Sequence, residues 1–146
     1  MELKRVVVTG LGAVTPLGLN VDETWEALLN GVSGAGPITH FDASQFKTQF
    51  ACEVKNFDPT LYLDKKEVRK FDRYAQFAVA AAKEAVGDSA LDLEKVDKNR
   101  VGVIFAAGIG GIRTFEEEVG GYFTNIERGP KFNPFFIPKM IADIAA

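Results

Sequence analysis

Three observations predict an α/β chain. Two short runs, RVVVT at Arg5–Thr9 and RVGVIFAA at Arg100–Ala107, are almost continuously apolar, the pattern of strands covered on both faces. Each run leads into glycines, Gly10 and Gly12 in the first case and Gly108, Gly110 and Gly111 in the second. Between them lies a long stretch with apolar residues at helical spacing, so that strand and helix alternate along the chain.

The first strand runs into VVVTGLGAVTPLG, Val6 to Gly18, which is how a dinucleotide-binding loop usually begins. That loop needs glycines as G-x-G-x-x-G, with the pyrophosphate held at the N-terminus of the following helix. Gly10 and Gly12 fill the first two places, but the third falls on Thr15, where a side chain would obstruct helix–strand packing. Pro16 follows, and the only acidic residues nearby, Asp22 and Glu23, come too early for a ribose contact. The stretch therefore reads as a tight glycine loop at the end of a buried strand, and the nucleotide reading is set aside.

Asp22 is positioned to cap a short helix, ETWEALLN, closed by Gly31. Residues 31–58 read as mostly irregular, with Gly34, Gly36 and Pro37 as punctuation and short extended pieces around Phe50–Val54. A long helix is predicted from Asp64 to Val86, ended by Gly87. Val68, Phe71, Ala75, Ala78, Val79, Ala82 and Val86 share its apolar face, and Lys66, Arg69, Lys70 and Arg73 gather opposite. After the second strand and its loop, a helix is expected near Thr114–Phe123, with the triplet Glu116, Glu117, Glu118 as a solvated face. Pro134 opens the last segment, PFFIPKMIADIAA, in which MIADIAA has the spacing of a buried helix. Two strands are too few for a covered parallel sheet, so the chain is expected to be the opening part of something longer.

Composition narrows the function. With 146 residues, 47% hydrophobic and 25% charged, the balance is that of an ordinary globular domain. A net charge of −3 gives no general attraction to nucleic acid or anionic membrane. The single cysteine, Cys52, excludes an internal disulfide framework and fits a reducing cytoplasm. MELKR leads directly into a strand and does not read as a signal peptide, and no apolar run approaches spanning length. Cys52 and His40, twelve positions apart and each the only residue of its kind, make no metal site. Cys52 adjoins Glu53, which would raise rather than lower a thiol pKa, so neither it nor His40 is expected to act chemically. Against the acidic background, Lys65–Arg73 carries five basic and two acidic residues. That segment is either a solvated helix face or a docking patch for an acidic partner.

Taken together, VVVTGLGAVTPLG, TWEALLNGVSG, FDASQF, KKEVRKFDRYAQFAVAAAKEA, GVIFAAGIGG and PFFIPKMI resemble, in order and spacing, the β-ketoacyl-acyl carrier protein synthases. Within that family the second, elongating type is the nearest. The resemblance covers essentially all 146 residues and implies a thiolase-like αβαβα layered fold. This chain would be the N-terminal third, an incomplete portion of the N-terminal thiolase-like domain. It also implies a homodimer in fatty-acid synthesis, using no cofactor and no metal, with acyl- and malonyl-loaded acyl carrier protein as partners. In that family a cysteine thiolate takes the acyl group, malonyl carrier protein loses CO₂, and the resulting carbanion attacks the thioester. The family's cysteine and two histidines would lie beyond Ala146, leaving no catalytic residue in this portion.

The resemblance carries three groups onto this sequence. Ile109, in the loop GIGG, matches a gatekeeping isoleucine at the mouth of the acyl pocket, with Gly108, Gly110 and Gly111 allowing a backbone swing. Phe136 and Ile137 match residues that line the partner subunit's acyl pocket, although Gly120–Asn133 departs from the family in length and composition. Lys66, Arg69 and Lys70 match the docking patch for acyl carrier protein, with Arg128 and Lys131 as weaker additions. Two alternatives are a non-catalytic relative that only shapes a dimer's pocket, and a small carrier-binding module.

Overall fold

The computed structural model describes residues 3–146. The chain divides into two compact units, one made of the segment up to Asp58 with Ala80–Leu91, the other of Pro59–Val79 with Asp92–Ala146. The elements are α1 (Val21–Leu29), β1 (Gly36–Pro37), β2 (Phe50–Ala51), α2 (Lys65–Lys70), α3 (Arg73–Asp88), α4 (Ile112–Thr124) and α5 (Phe136–Met140). Short 3-10 turns occur at Pro59–Leu61, Lys98–Arg100 and Ile126–Arg128.

In the first unit, the glycine loop packs on the second half of α3. A β-carbon on Gly10 would stand 2.2 Å from the Ala85 carbonyl oxygen, and one on Gly12 would stand 1.9 Å from that of Ala81. Both positions therefore require glycine because two backbones touch there. Ala81 and Ala85, and likewise Glu84 and Asp88, are one helical turn apart and share this face. The two carboxylates take the loop's amides: Leu11 N–H donates to Asp88 at 2.9 Å and Ala13 N–H to Glu84 at 2.8 Å. The donors that a nucleotide phosphate would use are thus occupied by the protein's own acids. Thr15, in the place of the third glycine, accepts from the Leu17 and Gly18 amides at 3.1 and 3.2 Å and closes the turn through Pro16.

Helix α1 follows at once. Its N-cap is Asn20, whose side chain accepts from Glu23 N–H at 2.7 Å, so the expected cap, Asp22, lies instead in the first turn. Either residue type can cap. Glu84 decides the register by accepting Val21 N–H at 2.8 Å with its second oxygen. Gly31 ends the helix as expected, in the left-handed region at φ 64°. The extended pieces pair as a minimal antiparallel ladder, Gly36 opposite Ala51 and Pro37 opposite Phe50.

In the second unit, α2 opens on a capping box. Asp64 accepts from the Lys66 and Glu67 amides at 2.7 and 2.8 Å, and Glu67 reaches back to Asp64 N–H. The single helix expected over 64–86 is two helices. Phe71 turns extended, at φ −105° and ψ 139°, and α3 restarts after Asp72. Gln76 stabilises the break by donating its side-chain amide to the Val68 and Phe71 carbonyls, each at 3.1 Å. Ala75 and Ala78 are buried as expected. Ala82 and Val86 are exposed, because the second half of α3 turns the Ala81–Ala85 face toward the glycine loop. Helix α3 also runs through Gly87 to Asp88. The helix expected at Thr114–Phe123 forms as α4, while MIADIAA is helical only up to Met140.

The largest departure concerns the strands. Among the described residues the one sheet is β1–β2, and neither Arg5–Thr9 nor Arg100–Ala107 belongs to it. Their side chains are exposed, Val6 at 90% and Ile104 at 97%. A strand covered on both faces needs neighbouring strands and flanking helices, and the described residues supply no neighbour of sufficient length.

Candidate functional site

The second unit carries Lys66, Arg69, Lys70, Ile109, Phe136 and Ile137. Lys66, Arg69 and Lys70 are exposed on α2. Being three and four positions apart, Lys66 presents its charge on the same flank as Arg69 and Lys70. The capping box secures the acidic side chains of Asp64 and Glu67 at the opposite end, leaving the last turn basic, as the helix dipole favours. Arg73 falls across the helix break on α3, where its guanidinium lies 5.1 Å from the Phe77 ring centre. Arg128 and Lys131 line a separate cleft with Glu117, Glu118, Tyr122 and Asn125.

Ile109 projects from the loop after the second apolar run, with 69% of its surface exposed. Gly110 is in the left-handed region at φ 80°, a conformation only glycine adopts cheaply. The two glycines after Ile109 also mark a tight approach. A β-carbon on Gly110 would stand 2.3 Å from the Met140 carbonyl oxygen, and one on Gly111 would stand 2.1 Å from that of Lys139. Gly111 N–H donates to the Met140 carbonyl at 3.2 Å. The loop therefore leans on the last turn of α5, and only Gly108 has open space beside it.

Phe136 and Ile137 open that same short helix. Phe136 is half-buried in an aromatic cluster, stacked on Phe132 at 5.7 Å and tilted against Phe115 at 6.3 Å, with Tyr122 against Phe132 at 5.6 Å. Ile137 is exposed beside it. Of the acidic triplet, Glu117 binds Arg113 at 2.7 Å, and that contact holds the guanidinium above its ordinary pKa. Glu118 is half-buried and accepts Asn133 N–H at 2.9 Å, which ties α4 to the segment before α5, so it is more than a solvated face.

Cys52 is exposed just after β2. The His40 imidazole lies 3.9 Å from the Glu53 carboxylate. Glu53 is held below the usual carboxylate range, chiefly by hydrogen bonds from Thr39. No three His, Cys, Asp or Glu side chains gather as a metal would need, among the described residues.

The sequence reading missed Asp72, Thr114, Glu84 and Asp88. Asp72 caps α3 and accepts a hydrogen bond from the hydroxyl of Thr114, a buried polar side chain at 6% exposure. An acid set between two basic helical segments (RKFDRY) was the available signal for a second helix start.

The β-ketoacyl synthase N-terminal domain model matches residues 3–146. The chain belongs to the β-ketoacyl synthase family. Relatives named 3-oxoacyl-[acyl-carrier-protein] synthase 2 are 49% identical over 146 residues in Coxiella burnetii and 44% over 147 in Vibrio harveyi. Both alignments cover 100% of this chain and 35% of the relative, so this synthase chain spans about a third of those proteins. Two solved structures agree in fold. The ishigamide ketosynthase/chain length factor gives a TM-score of 0.72 at 31% identity, over 92% of this chain and 33% of that one. A type II polyketide synthase acyl-carrier protein in complex with its ketosynthase gives 0.73 at 26%, over 95% and 35%. This synthase chain thus carries part of the thiolase-like layered α/β fold, and its exposed apolar runs are the segments the sequence reading assigned to the sheet.

Proposed function

We propose that this chain supplies the N-terminal third of a 3-oxoacyl-[acyl-carrier-protein] synthase of the elongating type, an acyltransferase of fatty-acid biosynthesis. Identity of 43–49% to relatives of that name, across the full chain, carries the reading. The whole enzyme transfers an acyl chain from carrier protein to a cysteine thiolate. It then condenses that chain with the carbanion left when malonyl carrier protein loses CO₂, giving a 3-oxoacyl chain two carbons longer. It works as a cytoplasmic homodimer without a cofactor. The nucleophile and the imidazoles that stabilise the enolate come from outside these residues.

This portion contributes recognition. Lys66, Arg69 and Lys70 present a basic surface to an acidic carrier protein. Ile109 forms the gate to the acyl channel, and its exposed branched side chain beside three glycines suits that task. Phe136 and Ile137 form a pocket wall in which the Phe132–Phe136 stack stiffens the aromatic.

The test is acylation of the whole enzyme by carrier-borne chains of two lengths, followed by mass spectrometry, with Ile109→Phe alongside. Long-chain acylation is expected to slow roughly tenfold more than short-chain acylation in the variant, the scale of a pocket contact worth 1–3 kcal/mol. Equal slowing would reduce Ile109 to packing. An unmodified wild-type enzyme with both donors would overturn the synthase reading in favour of a non-catalytic relative.

A further inference from the structure

We propose that Asp72 is a positioning residue that couples the carrier-docking helix to the gate loop, so that a carrier seated on α2 sets the position of Ile109; this rests on the docking and gate roles proposed above. Asp72 occupies the break between α2 and α3. Its carbonyl accepts Gln76 N–H at 3.1 Å, and Gln76 in turn holds the last carbonyls of α2. The backbone of Asp72 is therefore fixed to the end of the basic helix. Its carboxylate points the other way. One oxygen accepts from the buried Thr114 hydroxyl in the first turn of α4, and that same oxygen stands 3.1 Å from where a β-carbon on Gly111 would be.

Gly111 is closely flanked: the Asp72 carboxylate and the Lys139 carbonyl crowd the place where a β-carbon would stand, and its amide donates to the Met140 carbonyl. Ile109 is two residues away. Rotation of the α2–α3 junction moves the carboxylate, the carboxylate carries Thr114 with it through their hydrogen bond, and Thr114 sits in the first turn of α4, whose N-cap is Gly111. Tyr74, next along α3, adds a second strut by donating its hydroxyl to the Ile141 carbonyl just past α5. Burial, and then the charge of Asp72, raise the pKa of this phenol above its ordinary value, so it remains a donor. Val68 of the docking helix, Thr114 of α4 and Lys139 of the wall helix line one cleft with Asp72, the kind of contiguous packed arrangement through which two sites bias each other.

The coupling is read as a ratio in the full-length enzyme: the acylation rate with an acyl-carrier protein over that with the same acyl group on free pantetheine, which cannot dock. Thr114→Val removes the hydroxyl and keeps the shape. It is expected to lower the ratio about tenfold, the worth of one charge-assisted hydrogen bond, by slowing only the carrier-borne reaction. Asp72→Asn should lower it in the same sense, and Thr114→Ser should preserve it. Equal slowing with both donors, or no change with either, would overturn the coupling. If Thr114→Val yields no folded enzyme, Asp72→Asn decides by the same criterion. Charge reversal at Lys66 and Arg69 separates the two levels. A wild-type ratio insensitive to it removes the docking role and the coupling together, whereas a ratio that collapses under charge reversal but survives Thr114→Val and Asp72→Asn removes the coupling alone.

Discussion

Gly12→Ala is expected to cost the whole enzyme about 4 kcal/mol or more, a large share of the 5–15 kcal/mol that holds a domain folded. The β-carbon would lie 1.9 Å from the Ala81 carbonyl oxygen, a backbone atom that cannot move without carrying α3 with it. Relief requires the loop to withdraw, which breaks the hydrogen bonds from Leu11 to Asp88 and from Ala13 to Glu84. The part-buried Glu84 then loses one of its two amide donors, which is costly. Gly120→Ala is the matched control. Nothing lies within 4 Å of its β-carbon and it sits inside α4, so alanine should stabilise by about 0.5–1 kcal/mol through helix propensity. Denaturant unfolding of both variants checks the pair, and similar midpoints would mean that the loop does not touch the helix as described.

Reversing Lys66 and Arg69 together to glutamate is expected to weaken binding of acyl carrier protein roughly a hundredfold at low salt, with the loss falling mainly on the association rate. Both side chains are exposed and neither caps nor packs, so the melting temperature should stay close to that of the wild type. Reversing Lys95 and Lys98 changes net charge by the same amount at side chains engaged in exposed ion pairs with Asp92 and Glu94. If that control weakens binding equally, general charge and not the α2 patch steers the carrier. Titration by surface plasmon resonance at two salt concentrations distinguishes these results.

What the sequence made legible was local. The basic run on α2, the stop at Gly31 and the failure of the nucleotide fingerprint at Thr15 each follow from neighbouring residues. Contacts made at long range were hidden. Asn20 prevails over Asp22 as the cap because Glu84, 63 positions away from Val21, accepts that residue's amide. The break at Phe71 is invisible to periodicity, since Val68, Phe71 and Ala75 stay in phase across it, and Asp72 declares itself only through Thr114, 42 positions on. The apolar runs read as buried strands, and among the described residues they belong to no sheet. Their exposure could not be read, because burial depends on neighbours that composition does not name. Fold class and family were recoverable from ordered motifs, while the positioning contacts of the candidate site required coordinates.

The bare valines at the start of the chain and the bare VGVIF run have a practical consequence for anyone producing these 146 residues by themselves. Each is a short, uncharged, proline-free window of high strand propensity, which is the composition that stacks copies into cross-β deposits. Expression of the segment alone should yield thioflavin-positive inclusion bodies, and a single gatekeeping lysine at Ile104 should shift much of the product into the soluble fraction. A freely soluble, monomeric segment without that lysine would show that these runs find shelter within the segment itself.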